Sequence, residues 1–300
     1  MDLSIVIVNW NTREDLRQCL ISIPAGCTSN ECEIFVVDNA SADDSAEMVT
    51  TNFPDVNLIN SYGNLGFSKG NNLAFPTCRG RYVLLLNPDT ICKPKSLSKM
   101  IEHLDESGVA ACGPMLLDIA SEPTLSYGTE PRLSYHMFDP ARKWHTMARV
   151  PEKGTAREVE YIVGACLMVR RTVLEEIGYL DEQFFMYFEE SDWCKRARNA
   201  GHKIHLLTDS EVVHLEGSSA KKASRFALAQ FYKSYHLFIK KHRNPMAIIA
   251  YRAAIFLEYL FKGTIRFIIS LSKPRDRQLA TDYFYIATLQ LQNISVTPPG

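Results

Sequence analysis

Residues 82–89 read Tyr-Val-Leu-Leu-Leu-Asn-Pro-Asp, an aromatic and aliphatic run that stops at an amide, a proline and a carboxylate. Continuous runs of this kind are typical of strands buried on both faces, as in a parallel sheet. Asp89 then follows the carboxyl end of the strand, where open α/β sheets bind their ligands. A single carboxylate here is also a common turn former or helix cap, so its role depends on the rest of the chain.

Three other segments place polar side chains where apolar runs stop. Asp38 and Asn39 follow Val-Val at 36–37, His214 follows Val-Val at 212–213, and residues 188–192 read Phe-Glu-Glu-Ser-Asp. Four such segments in one chain favour a ligand site over unrelated turns.

The surrounding pattern alternates strands with helices. Strands are predicted at 3–9, 33–37, 56–59, 82–86, 108–113, 161–169, 203–207 and 211–214. Helices are predicted after Asn11-Thr12 and at 43–51, 69–74, 95–105, 172–178 and 192–200, with an irregular insert at 114–158. This alternation predicts an α/β fold with a mostly parallel central sheet flanked by helices.

Composition indicates one substantial core with an appendage, because the chain has 300 residues of which 46% are hydrophobic. The eight cysteines are scattered without a Cys-x-x-Cys pair, and we interpret them as reduced core thiols of a cytosolic protein. The amino terminus, Met-Asp-Leu-Ser-Ile-Val, lacks the basic and apolar regions of a secretory signal. A cytoplasmic location is therefore predicted.

The net charge of −1 conceals an asymmetry along the chain. Residues 221–277 contain thirteen Lys or Arg and two acids, whereas residues 1–220 contain twenty Lys or Arg and thirty-one acids. An acidic globular body followed by a basic, aromatic extension is predicted.

Asp89 and His214 are candidate ligands of a divalent cation, since hard ions take carboxylate oxygens and an occasional imidazole. Glu189, Glu190 and Asp192 are candidate proton acceptors, because neighbouring negative charges raise one another's proton affinity. Each group has an alternative role. His214 also fits a structural histidine, and acids in the first turn of any helix are favoured by the helix dipole.

Seven stretches together resemble family 2 glycosyltransferases, which have the GT-A fold, in the branch that contains bacterial rhamnosyltransferases. They occur in family order: Ile-Val-Ile-Val-Asn-Trp-Asn at 5–11, Val-Val-Asp-Asn-Ala-Ser at 36–41, Asn-Leu-Gly-Phe-Ser-Lys-Gly-Asn-Asn at 64–72, Leu-Leu-Asn-Pro-Asp at 85–89, Gly-Ala-Cys-Leu-Met-Val-Arg at 164–170, residues 184–192 and His-Leu-Glu-Gly-Ser at 214–218. Each stretch is weak alone, and the set is highly specific.

The resemblance implies a GT-A catalytic domain at 1–219, with a nucleotide-binding part at 1–113 and an acceptor and catalytic part at 114–219. Residues 220–300 would form a helical, basic, amphipathic extension. The implied contacts to the nucleotide sugar come from Asn9, Asp38, Asn39, Gly66, Phe67, Lys69, Asn72, Asn87 and Gly164. Gly66 in particular is expected to let the backbone approach the nucleotide.

The segment Asn87-Pro88-Asp89 occupies the family's Asp-x-Asp position, so Asp89 is implied to bind Mg²⁺ or Mn²⁺ and Asn87 to make a weaker contact. His214 matches the family's late metal-binding histidine. Glu190 aligns with the catalytic base, which is usually Asp in the family. This departure keeps Asp192 and Glu189 as alternatives for the base.

The implied activity is inverting, metal-dependent transfer of a sugar, with rhamnose favoured, from a dTDP or UDP sugar to a saccharide or lipid-linked acceptor in cell-surface polysaccharide synthesis. A sugar nucleotidyltransferase and a non-catalytic nucleotide-sugar binding module are the alternatives. A nicotinamide dehydrogenase is disfavoured because no Gly-x-Gly-x-x-Gly follows the first strand.

Residues 244–271 predict a basic amphipathic helix, because Arg252, Glu258, Lys262 and Arg266 fall within an arc of about 120°. Eighteen uncharged residues never occur in a row, which disfavours a spanning helix. Interleaved aliphatic residues favour contact with an anionic membrane, at the inner face of the plasma membrane, over nucleic acid. Packing on the catalytic body, or on a partner in a homodimer, is the alternative.

Overall fold

The computed structural model describes residues 1–28, 30–132, 154–215, 225–271 and 276–292. Within these ranges the strands are β1 Leu3–Asn9, β2 Cys32–Asp38, β3 Asn57–Asn60, β4 Tyr82–Leu86, β5 Thr90–Cys92, β6 Ala111–Leu117, β7 Tyr127–Gly128, β8 Ala156–Glu158, β9 Tyr161–Ile162, β10 Cys166–Arg170 and β11 Ile204–His214. The α-helices are α1 Arg13–Gly26, α2 Ser45–Asn52, α3 Gly66–Ala74, α4 Ser96–Ser107, α5 Arg171–Ile177, α6 Glu189–Asn199, α7 Arg225–His242, α8 Pro245–Ser270 and α9 Asp276–Leu289.

The described strands form a nine-stranded sheet in the order β3-β2-β1-β4-β10-β6-β11-β5, with β8 paired to β11. β1 is parallel to β2 and β4, and β6 is parallel to β11. β10, β5 and β8 run against the other strands. The carboxyl ends of β1, β2, β4 and β11 consequently lie at one edge of the sheet, as predicted for a mostly parallel α/β fold.

The core lies on both faces of this sheet. In β4, Val83 and Leu85 join one buried cluster, and Tyr82, Leu84 and Leu86 join the other. Because helices cover both faces, every residue of this strand is buried and the strand is apolar throughout.

Three strand predictions are corrected by the structure. The strand predicted at 161–169 is divided into β9 and β10, because Ala165 O accepts from Asn87 N–H and Ser126 O accepts from Val163 N–H. The strands predicted at 203–207 and 211–214 are one strand, β11, with an irregularity between Leu207 and Glu211. The pattern does not predict the short strands β5, β7 and β8, and β7 and β8 lie within the predicted irregular insert. Residues 133–153 of the predicted insert lie outside the described residues.

Six of the eight cysteines are free and buried, as predicted: Cys19, Cys78, Cys92, Cys112, Cys166 and Cys194. The prediction is wrong for Cys27 and Cys32, which form a disulfide. They stand at the two ends of the short connection between α1 and β2, with Cys27 directly after α1 and Cys32 as the first residue of β2.

The helices α7, α8 and α9 pack on the body through a third, aromatic cluster that includes Phe184, Phe188, Tyr235 and Tyr251. No helix among the described residues has the length and hydropathy needed to cross a membrane.

Candidate active site

The side chains of Asp89 and His214 meet at the edge of the sheet where β4 ends. The antiparallel pairing of β5 with β11 places His214 opposite Thr90. Leu215 N–H donates to the carbonyl oxygen of Asp89 at 2.9 Å, which fixes the two chain segments together. His214 Nε2 lies 3.3 Å from Asp89 Oδ1. The structure therefore brings together the two predicted metal ligands.

The donor set of Asp89 and His214 fits one shared divalent cation. Two ligands about 2.1 Å from Mg²⁺ and at right angles to each other lie about 3.0 Å apart, close to the observed 3.3 Å. No cluster of three or more His, Cys, Asp or Glu side chains suited to a metal occurs among the described residues. The pair would thus supply two ligands, and oxygens of a bound substrate and water would supply the others.

A buried polar network joins the ends of β1 and β2. Asp38 Oδ1 accepts from Asn9 Nδ2 at 3.1 Å, and Asp38 Oδ2 accepts from Ser41 N–H at 3.0 Å. Thr12 Oγ1 donates to Asn9 Oδ1 at 2.7 Å. Because Asn9 is fully buried and its amide is used inside the protein, it orients Asp38. A carboxylate accepts about four hydrogen bonds, so Asp38 retains capacity for a ligand.

Asn39 and Gly66 connect the end of β2 to the start of α3. Asn39 Nδ2 donates to Gly66 O at 3.0 Å. Gly66 has a φ of +79°, and a Cβ there would lie 2.3 Å from Phe185 O. Gly66 therefore lets the backbone approach residue 185, and the nearby Phe67 N–H donates to the Phe185 oxygen at 2.7 Å. The approach to the nucleotide stays a prediction.

Two other predicted contact residues lie on α3. Asn72 Nδ2 donates to Leu180 O at 2.9 Å and to Glu182 Oε1 at 3.1 Å, and Asn72 Oδ1 accepts from Leu180 N–H. The side-chain amide of Asn72 therefore joins α3 to the loop at 180–182, which precedes the aromatic run at 184–188. Lys69 is exposed on the same helix.

The turn between β9 and β10 brings Asn87, Gly164 and Glu190 to one place. Asn87 N–H donates to Ala165 O at 2.9 Å, which holds the turn against the end of β4. A Cβ on Gly164 would lie 3.6 Å from the Cβ and Cγ of Glu190 and 3.7 Å from the Phe67 ring. Glu190 is thus near the sheet edge that carries Asp89.

Glu189 and Glu190 begin α6 as an adjacent carboxylate pair. Burial is the main cause that raises the pKa of Glu190 to about 7, and Ser191 Oγ donates to its Oε1 at 3.2 Å. Burial, followed by the charge of Glu190, raises the pKa of Glu189 well above its usual range. Glu189 is 5% exposed and Glu190 is only partly buried, so Glu190 is the more accessible proton acceptor.

Asp192 has a different environment. Its carboxylate accepts from Arg196 Nε at 2.9 Å and from His242 Nε2 at 2.7 Å, and Lys241 Nζ lies 2.8 Å from it. Burial alone would raise the pKa of Asp192, but these three partners lower it to about 2. Because Asp192 is fully buried and remains ionised, it connects α6 to α7 and is poorly placed to take a proton.

The backbone before α6 is strained. Tyr187 and Phe188 have φ values of +68° and +69°, a conformation that costs of order 1–3 kcal/mol for each non-glycine residue. The Phe188 ring packs against Tyr235 and Phe238 of α7, and Ser234 Oγ donates to Met186 O at 2.7 Å. The carboxyl-terminal helices therefore hold the segment that presents Glu190.

Sequence reasoning missed two contributors to this site. Phe185 acts through its backbone oxygen, which no side-chain pattern reveals. The contacts of α7 with residues 186–192 join parts of the chain that are far apart in sequence, and the only available signal was the aromatic run at 184–188.

Comparison with known proteins adds three findings. The family described as Glycosyl transferase family 2 matches residues 4–178. The low-salt glycan biosynthesis hexosyltransferase Agl10 of Haloferax volcanii is 29% identical over 218 residues, which cover 71% of this chain and 67% of the relative. The N-acetylglucosaminyl-diphospho-decaprenol L-rhamnosyltransferase of Mycobacterium tuberculosis is 25% identical over 257 residues, which cover 79% of this chain and 83% of the relative.

Among solved structures, the mannosyltransferase PcManGT from Pyrobaculum calidifontis, in complex with GDP-Man and Mn²⁺, matches with a TM-score of 0.59. The match covers 97% of this chain and 86% of that chain at 16% identity. A likeness at this identity concerns the fold, and it confirms the predicted GT-A architecture.

Proposed function

Because this chain belongs to glycosyl transferase family 2 and is a glycosyltransferase of glycan biosynthesis, we propose that it is an inverting enzyme that transfers a sugar from a nucleoside diphosphate sugar to a lipid-linked saccharide. A dTDP sugar, with rhamnose favoured, or a UDP sugar is the proposed donor. The rhamnosyltransferase activity of the mycobacterial relative supports this choice. The proposed location is the cytoplasmic face of the plasma membrane, where a nucleotide sugar and a lipid-linked acceptor meet.

Glu190 is the proposed catalytic base. A base is most effective when its pKa lies near the working pH, and burial raises the pKa of Glu190 to about 7. Its carboxylate would accept the proton of an acceptor hydroxyl as that oxygen attacks the anomeric carbon. The new bond forms opposite the leaving nucleoside diphosphate, so the anomeric configuration inverts. Gly164 lies beside the Glu190 side chain.

Asp89 and His214 are the proposed ligands of Mg²⁺ or Mn²⁺. A bound divalent cation stabilises negative charge that develops on leaving phosphate oxygens. Asp38, oriented by Asn9, is the proposed acceptor of hydrogen bonds from the nucleoside, and Asn39 fixes the adjoining loop. The observation that supports the proposal most is the placement of these groups and Glu190 along one edge of the sheet.

The direct experiment incubates the purified protein with Mn²⁺, a panel of dTDP and UDP sugars and a saccharide acceptor on a lipid diphosphate. Transfer product with the new linkage in inverted configuration is the expected result. Release of pyrophosphate from a nucleoside triphosphate and a sugar phosphate, with no transfer, would instead identify a nucleotidyltransferase.

His214→Ala is expected to weaken the affinity for a nucleoside diphosphate with Mn²⁺ by about tenfold or more. Even residues that only hydrogen-bond to a metal ligand contribute about 10–100-fold to metal affinity or activity. Calorimetry measures the affinity and a thermal melt measures stability. His202→Ala, which removes a partly exposed imidazole beside Glu176, is the matched control. Unchanged affinity with a large fall in Tm would show that His214 is a structural residue.

The helix α8 supports the proposed membrane contact. Its exposed apolar side chains are Met246, Ile249, Leu257, Leu260, Phe261, Ile265, Phe267 and Ile268. At 100° per residue these positions share one broad face that contains no charged residue. A face of this kind suits the headgroup boundary of a bilayer.

Two cations of α8, Lys262 and Arg252, have partners in the protein. Lys262 Nζ lies 2.6 Å from Glu258 Oε1, and Arg252 donates to the carbonyl oxygens of Gln290 and Gln292. These charges flank the apolar face of α8. We therefore expect apolar burial to contribute more to membrane binding than charge attraction does.

Replacing Leu257, Phe261 and Ile268 together by Glu is expected to release the protein from anionic vesicles. Each side chain is at least 60% exposed, and burial of such a side chain contributes about 1.5–3 kcal/mol, so each loss costs about tenfold or more in binding. Flotation with vesicles at several salt concentrations measures this. Ile21→Glu with Ile119→Glu, which alter isolated exposed residues, is the control. A wild-type dimer that the triple variant dissociates, without vesicle binding, would assign this face to a homodimer.

A further inference from the structure

A cavity of about 640 Å³ lies between α6, the segment at 130–132 and the start of α8. The charged residues among its described lining are Glu130, Glu160, Arg132, Lys195, Arg198 and Arg243. Four cations and two carboxylates leave a net charge of +2 in this lining. A cavity of this size and charge fits an anionic ligand.

Glu130 organises the cations around this cavity. Its carboxylate accepts from Lys195 Nζ at 3.0 Å, from Arg198 and, at 3.4 Å, from Arg243 Nη2. Burial would raise the pKa of Glu130, but the hydrogen bonds from Lys195 and Arg198 outweigh it and hold the pKa below its usual value. One ionised carboxylate therefore positions three cations. The Arg243 guanidinium has five N–H donors, so its contact with Glu130 leaves capacity for a ligand.

The cavity lies close to the proposed catalytic base. Lys195 is on the same helix as Glu190, and five residues of α-helix correspond to about 8 Å along the axis. The strand β9 runs from beside Glu160 towards Gly164, which is next to Glu190. A short saccharide can bridge a separation of this size.

The opposite wall of the cavity belongs to α8. Ala247 and Tyr251 line it, and Tyr251 Oη donates to Pro131 O at 3.0 Å. The same two turns of α8 carry Met246 and Ile249, which are exposed and belong to the apolar face. The cavity thus lies between the proposed base and the proposed membrane contact.

We propose that this cavity binds the diphosphate of the lipid-linked acceptor. Such an acceptor has a saccharide at one end, the diphosphate in the middle and a hydrocarbon chain at the other end. The protein presents Glu190, the cationic cavity and the apolar face of α8 in the same order. The inference rests on the function proposed above. It assigns Arg132 and Arg243 to recognition of the acceptor and gives them no part in binding the donor.

Binding is tested with inorganic pyrophosphate and calorimetry in the presence of EDTA, which removes the cation needed at Asp89. The wild type and Asp89→Ala are expected to bind, and Arg132→Ala with Arg243→Ala is expected to bind about tenfold or more weakly. Glu130→Gln is expected to lose thermal stability, because three cations lose the carboxylate that positions them. Unchanged pyrophosphate affinity of the Arg132 and Arg243 double variant would overturn the proposal.

Transfer kinetics test the identity of the ligand. One acceptor carries the saccharide on a lipid diphosphate, and the other carries the same saccharide on an uncharged alkyl chain. The double variant is expected to raise KM about tenfold or more for the first acceptor only, with hydrolysis of the donor unchanged. Lys99→Ala with Lys203→Ala, which removes two ion-paired surface cations elsewhere, is the control.

Pyrophosphate binding without this change in KM would assign the cavity to a free anion and overturn the acceptor assignment. Absence of transfer in the wild type would count against the proposed function, and the calorimetry would still test the cavity.

Discussion

Asp89→Ala is expected to lower metal-dependent sugar transfer by a factor on the order of 10³ or more, because a bound cation contributes several kcal/mol of charge stabilisation in the transition state. The carboxylate of Asp89 lies 3.3 Å from His214 Nε2, and its loss leaves the imidazole as one ligand of the proposed pair. The fold is expected to survive, since the hydrogen bond from Leu215 N–H is made to the backbone oxygen of residue 89.

The measurement is initial-rate transfer at saturating Mn²⁺, together with calorimetry of the nucleoside diphosphate. Asp55→Ala removes an exposed carboxylate from the loop before β3 and serves as the control. Transfer and binding should fall together in Asp89→Ala and remain unchanged in the control. Near-normal turnover of the metal-supplemented Asp89→Ala enzyme would remove Asp89 from the reaction and would refute the proposed metal site.

The parallel part of the fold was predictable because its information is local. Its strands carry apolar runs, and Asp38, Asp89 and His214 each follow such a run. Parallel strands bring such ends to one edge, so the sequence predicts the meeting of Asp89 and His214 without giving a distance. The register that places His214 opposite Thr90 depends on the three-residue strand β5, which is too short to produce a pattern.

The acceptor side was less predictable because its contacts join distant segments. Sequence alone favoured Glu190 as the base and kept Asp192 and Glu189 as alternatives, and the position of α7 is what separates Asp192 from Glu190. His242 and Lys241 pair with Asp192, whereas Glu190 lies beside Gly164. The strained residues before α6 are not glycines, so no sequence signal marks their left-handed conformation.

The carboxyl-terminal helices illustrate the same limit. The amphipathic pattern of α8 could be recognised in the sequence, and the pattern alone left a membrane, the catalytic body and a second copy of the chain as its possible partners. The two faces of α8 have different environments. Tyr251, Ile255 and Tyr259 are buried against the protein, and the apolar face that contains Phe261 is exposed. The interpretations of the sequence therefore concern different faces of one helix, and the flotation experiment tests the exposed face as a membrane contact or a homodimer contact.

Glu190→Gln is expected to lower transfer by a factor on the order of 10² to 10⁴, the usual contribution of a positioned general base. The amide is nearly isosteric with the carboxylate, so Ser191 and Gly164 keep their neighbour, and the affinity for the nucleotide should not change. The loss should therefore appear in kcat at saturating donor. Single-turnover transfer and calorimetry of the nucleoside diphosphate measure the two quantities separately.

The pH profile gives a second signature of the same residue. Burial raises the pKa of Glu190 to about 7, and a base must be deprotonated to act. In the wild type, kcat/KM should rise about tenfold per pH unit below pH 7 and become constant above it. The residual activity of Glu190→Gln should lack this rise. A wild-type rate that is flat from pH 5 to 8 would contradict the assignment.

Asp192→Asn separates catalysis from structure at this site. Asp192 is fully buried beside Arg196, Lys241 and His242, and removal of one partner from a buried ion pair costs about 3–5 kcal/mol. We therefore expect a lower Tm for Asp192→Asn and a retained pH profile at temperatures where it is folded. Glu189→Gln tests the remaining alternative. One outcome would contradict the assignment of Glu190: a folded, nucleotide-binding Asp192→Asn or Glu189→Gln variant loses the pH-dependent step while Glu190→Gln keeps it. The base would then be the carboxylate replaced in that variant, and the acidic segment would align differently with the family's aspartate.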